Sequence, residues 1–120
     1  MKLPFRRKGY EVTLNRVHDN ILIREGGETL SLAVNGDAMR IVAGLNKAQK
    51  MMTDLKESDT DEKARETALY FASVIFGREQ AGKLLEFYAE DAACVIAVCG
   101  KYFQERLAGK ISEVQKKMKA

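Results

Sequence analysis

Residues 29–45 read Thr-Leu-Ser-Leu-Ala-Val-Asn-Gly-Asp-Ala-Met-Arg-Ile-Val-Ala-Gly-Leu, and the spacing of the apolar residues changes in the middle. Leu30, Leu32 and Val34 alternate with Thr29, Ser31 and Ala33, a period of two that sets one face of a β-strand against the other. Beyond Asn35-Gly36-Asp37 the apolar residues fall at Ala38, Ile41, Val42, Leu45, Ala48, Met52 and Leu55. Steps of three and four make the stripe of an amphipathic helix, with Asp37 placed to cap its first turn. A strand therefore hands over directly to a helix, and the chain is expected to be α+β rather than all-helical.

Upstream, Tyr10, Val12 and Leu14 alternate with Glu11, Thr13 and Asn15, and Ile21-Leu22-Ile23 forms a β-branched run. His18-Asp19-Asn20 and Gly26-Gly27 separate these runs and read as turns. The glycine pair suits a primed hairpin turn, which needs positive φ at both positions. The expectation is a short antiparallel β-meander of two or three strands over residues 10–34. So small a sheet is marginal alone and should pack on helices.

Downstream, four helices are expected over residues 37–57, 60–76, 78–89 and 91–118, all within a single mainly α domain of 1–120. Ser58, Asp59 and Thr60 compete to cap the second helix, and Asp59 with Glu62 resembles a capping box. Gly77 stands where a helix C-terminal glycine belongs. Ala81, Leu84, Leu85 and Tyr88 stripe the third helix, and Asp91 is placed to cap the fourth. The fourth is the longest, with Val95, Ile96, Cys99, Phe103, Leu107, Ile111, Val114 and Met118 at helical spacing. Gly100 and Gly109 interrupt it and are expected to mark a kink or the close approach of another helix.

With 46% hydrophobic and 31% charged residues the composition is that of a folded globular chain, not a disordered one. A net charge of +3 is well short of a dedicated nucleic-acid binder. The charge is uneven: Lys2, Arg6, Arg7 and Lys8 are basic, Asp54 to Glu66 is acidic, and Lys110, Lys116, Lys117 and Lys119 are basic again. Such poles favour head-to-tail self-association or an acidic partner. No secretory signal is visible at the N-terminus, and no stretch is apolar enough to span a bilayer, so the expected compartment is the cytoplasm.

Nothing in the sequence assembles chemistry. His18 is the sole histidine and reads as a surface turn residue, too few for a zinc site and unsupported as a catalytic base. Gly26-Gly27 lacks the spacing of a phosphate loop. Asp59, Asp61 and Glu62 lack the register of a calcium loop. Cys94 and Cys99 lie five apart on a helix, poorly placed for a disulfide or a shared metal. The chain is expected to be no enzyme, with no catalytic residue, no metal, no cofactor and no small-molecule substrate. Tyr102 and Phe103 beside Lys101 and Arg106 raise a lesser reading, a small nucleic-acid-binding regulator that stacks bases.

From Leu69 onward the chain resembles a family. An aromatic-rich helix ends in Phe76-Gly77, a short amphipathic helix ends near Tyr88, and a long last helix carries Val98 to Leu107 and a lysine-rich tail. This is similar to the tail assembly chaperones of siphophage-type phages and Gram-positive prophages. The resemblance implies a non-catalytic protein that coats a long helical tape measure protein during tail assembly, self-associates along it, and is absent from or minor in the mature virion. It makes Met39 and Met51 on the first helix candidates for partner binding, with Tyr102, Arg106, Lys110, Ile111, Val114 and Met118 on the last. A structural tail or neck component of the virion is the alternative.

Overall fold

The computed structural model describes residues 15–56 and 60–119. Its element order is β1 (Arg16–Glu25), β2 (Glu28–Asp37), α1 (Ala38–Asp54), α2 (Asp61–Phe76), α3 (Arg78–Phe87), α4 (Ala92–Tyr102), a π-helical segment (Phe103–Leu107) and α5 (Ala108–Lys119). The last three run on as one long helix. The fold is α+β and mainly α, a two-stranded antiparallel sheet followed by four helices with the last the longest. The strand expected over Tyr10, Val12 and Leu14 and the capping residues Ser58 and Asp59 lie outside the described residues.

Gly26 and Gly27, at φ of 57° and 84°, form the two-residue turn that joins β1 to β2. The register runs from Glu25 opposite Glu28 to Arg16 opposite Asp37. Val17, Ile21 and Ile23 thus share the inner face with Leu30, Leu32 and Val34, and the outer face is polar apart from Leu22 and Ala33. Two expectations are corrected here. His18-Asp19-Asn20 is not a turn but the middle of β1, and β2 continues through Asn35 and Gly36 to Asp37. Local turn preference loses because Asp19 faces inward and finds partners there.

Three of the four helices begin on a side-chain cap, and α3 begins at Gly77 without one. Asp37 accepts from the backbone N–H of Met39 and Arg40, Thr60 from Lys63, and Asp91 from Cys94. Thr60 therefore takes the cap of α2. Gly77, at φ 89°, ends α2 and begins α3. The third helix stops at Phe87, short of the expected residue 89, because Ala89 and Glu90 turn to positive φ.

The core is one cluster that joins the inner face of the sheet to α1–α5. Its largest fully buried side chains include Leu32, Leu84, Leu85 and Leu107. Helix α2 runs between α1 and α4, and both pack on it. The close approach of helices falls at Gly44 of α1, where a Cβ would sit 2.7 Å from Val74 Cγ1 on α2. Gly100 and Gly109 have open space around them, so the expectation of a close approach there is corrected. The irregularity of the long helix is the π-helical segment between them.

Candidate functional site

The stripe of α1 is wider than its own domain covers. Of its apolar residues only Ala38, Ile41 and Ala48 are buried, and Val42, Leu45, Met52 and Leu55 remain half-buried. The cause is geometric. Helices α1 and α4 both pack on α2 and little on each other, so a groove lies open between them. Phe71 of α2 forms its floor, Leu45 and Met52 one wall, and Ile96, Gly100 and Phe103 the other. Asn46, Gln49 and Gln104 complete the lining, and no charged side chain among the described residues contributes to it. Its volume is about 370 Å³. The seven-residue step from Leu45 to Met52 spans about 10 Å along α1, or two helical turns.

A second groove runs between the outer edge of β1 and the α4 side of the long helix, with a volume of about 510 Å³. At one end lies the most connected polar group of the molecule. Asp19 is surrounded on its strand face by Val17, Ile21 and Val34, and its side chain is only 6% exposed. Its carboxylate accepts from the Tyr102 hydroxyl at 2.8 Å and from Arg106 Nε at 2.9 Å and Nη2 at 2.8 Å. Asn20 N–H donates to the same carboxylate at 2.9 Å. The Arg106 guanidinium lowers the Asp19 carboxyl from its ordinary 3.8 to about 2, against burial, with help from the Tyr102 hydroxyl. Burial, together with the Asp19 hydrogen bond, pushes the Tyr102 hydroxyl up.

The eight residues marked as partner-binding candidates do not form one surface. Ile111 and Val114 are buried, and α5 packs on β1 and α1. Tyr102 is buried too, its ring 5.8 Å from that of Phe76, and is not free to stack on a base. Arg106 is engaged with Asp19, and Lys110 is half-buried nearby. Met39 and Met118 are exposed, and Met51 is half-buried. Met39 and Met51 are twelve positions apart, which on a helix puts them about 120° around the axis from each other. The groove draws instead on Leu45, Met52, Ile96 and Phe103, none of them among those candidates. They were legible as apolar stripes, but no sequence signal says that the two stripes fail to meet.

Cys99 is buried and its thiol pushed up to about 12 by that burial, and Cys94 is half-buried and raised for the same reason. Among the described residues no group of three His, Cys, Asp or Glu side chains is placed to hold a metal ion, and no helix is long and apolar enough to cross a membrane. His18 lies on the exposed outer face of β1. No family model matches the chain, and no curated protein and no solved structure matches it either.

Proposed function

We propose that this protein is a non-catalytic tail assembly chaperone, and that the α1–α4 groove receives an amphipathic helix of a tape measure protein. The observation that carries the reading is the groove itself: two apolar helix faces, only half-buried by their own domain, flank an open groove with an aromatic floor. A client helix would lay residues at three- and four-residue steps along Leu45, Met52, Ile96 and Phe103, the pattern by which amphipathic helices occupy grooves. Met52 adapts its unbranched side chain to different clients, and Asn46, Gln49 and Gln104 supply hydrogen bonds at the rim. The resemblance of residues 69–119 to tail assembly chaperones adds the identity of the client.

Co-expression with a tape measure protein tests the reading. The complex is expected to co-purify and to survive 0.5 M salt, because no charged side chain lines the groove. Binding driven by phosphate contacts would instead fall steeply with salt. Absence of any complex with the tape measure protein contradicts the proposal. Self-association belongs to the same reading and is supported by the basic–acidic–basic order of charge along the chain.

A further inference from the structure

The turn of the hairpin fixes which backbone groups of β1 are free. A two-residue loop makes Glu25 and Glu28 a hydrogen-bonded pair, so Ile23–Leu30 and Ile21–Leu32 are hydrogen-bonded pairs as well. Asn20, Leu22 and Arg24 therefore turn their N–H and C=O groups away from β2. Ala33, the register partner of Asn20, confirms the phase: Gln80 Oε1 accepts from its N–H at 2.8 Å and Gln80 Nε2 donates to its C=O at 2.8 Å. The side-chain amide of Gln80 thus closes the outer edge of β2 where it would otherwise take another strand. Among the described residues the edge of β1 has no such cover. Asn20 N–H is held by Asp19, but the N–H and C=O groups of Leu22 and Arg24 have no partner among the described residues.

That open edge borders the groove of about 510 Å³, whose far wall is Tyr88, Val98, Lys101 and Tyr102. Leu22 is half-exposed beside it. We infer that β1 takes an extended segment of a partner protein as a third strand, with an apolar side chain over Leu22 and a carboxylate beside Arg24. The carboxylate follows from charge. Asp19 is engaged by Arg106, Glu105 by Lys101 and Glu25 by the Tyr88 hydroxyl, which leaves Arg24 without an ion pair among the described residues. An opposite charge next to it across the new ladder is favourable. The occupant is a single strand and not the β1 edge of a second copy, because the helical wall stands beside the edge and a second hairpin would bring its own. Strand addition of this kind draws affinity from backbone hydrogen bonds and selectivity from alternate side chains. The inference is independent of the α1–α4 groove, which shares none of these residues.

The test titrates the full chain, labelled with nitrogen-15, with a short synthetic peptide of alternating valine and threonine that carries one central glutamate. The same peptide with every backbone nitrogen methylated keeps the side chains but donates no backbone hydrogen bond. The first peptide is expected to slow exchange of the Leu22 and Arg24 amides, and the methylated one to bind at least about tenfold more weakly. Leu22→Pro, tolerated on an edge strand, is expected to lose the same factor with its melting temperature kept. Equal affinity for the two peptides overturns the inference, as does failure of the first to bind. So does a dimer in sedimentation equilibrium that Leu22→Pro dissolves, since a second copy would then occupy the edge. If Leu22→Pro does not fold, the two peptides on the unaltered chain decide alone.

Discussion

A carboxylate that keeps 6% of its side-chain surface exposed needs partners for every lone pair it buries, and Asp19 has them in Tyr102, Arg106 and Asn20. These contacts tie the middle of β1 to the point where α4 widens into the π-helical segment. Because the folded carboxyl titrates at about 2 and its ordinary value is 3.8, the charged form is stabilised by folding. The sign follows: this contribution is fully present above about pH 4 and is lost as pH falls through 2. Tyr102→Phe is expected to lower stability by about 1.5 kcal/mol in urea at pH 7. Arg106→Gln should move the Asp19 carboxyl back towards 3.8, read by carboxyl carbon shifts in an NMR titration. A carboxyl that still titrates near 2 would show that Arg106 is not the cause. The two cysteines make a simpler case. At pH 8 a thiol reagent should modify half-buried Cys94 well before buried Cys99, which should react only when the chain opens.

The elements are held by particular contacts, and glycine shows the difference between a needed and an incidental one. Gly44→Ala improves helix propensity but drives a methyl to 2.7 Å from the stiff, β-branched Val74. It is expected to destabilise by about 2 kcal/mol, and Val74→Ala in the same chain should recover most of that loss. Gly109→Ala meets nothing within 4 Å and should stabilise by about 0.5–1 kcal/mol. Chemical denaturation of the three variants checks both signs. The contrast also explains what could be read beforehand. Period, caps and the Gly26-Gly27 turn are local, and so the hairpin, the start of α1 and the glycine at the end of α2 were legible. The strand through His18-Asp19-Asn20 was not, since it depends on Tyr102 and Arg106, more than eighty residues away. The helical register also runs unbroken through residues 103–107, which hides the π-helical segment. The groove was half legible: both walls stood out as stripes, but whether two stripes touch is settled by the angle at which each crosses α2.

The described residues form an elongated body, 63 Å by 32 Å by 26 Å. Helices α2 and α4 run side by side, from the Arg65–Glu90 ion pair at 2.6 Å to the Phe76–Tyr102 ring pair. Exposed Asp54, Asp61, Glu62 and Glu66 lie at the first of these ends among Lys56, Lys63 and Arg65, and α5 carries Lys116 and Lys117 beyond the second. In the proposed role, unlike charge at separate places on one chain would favour a heterologous contact that propagates rather than closing on a two-fold. Sedimentation is therefore expected to show concentration-dependent assembly at low ionic strength that 0.5 M salt reverses. A sedimentation coefficient flat in both would remove self-association from the proposed role. Client binding should respond differently, since its groove has no charge in its lining.

That separation gives the most direct measurement. The affinity of the chain for a tape measure protein is compared with those of Met52→Glu in the groove and Met118→Glu at the exposed end of α5, each variant first shown by circular dichroism to keep its helix content. The expected result is a loss of about 100-fold or more for Met52→Glu, from a carboxylate forced into an apolar contact, and little change for Met118→Glu. Retained affinity in Met52→Glu, or a loss confined to Met118→Glu, would contradict the assignment of the groove.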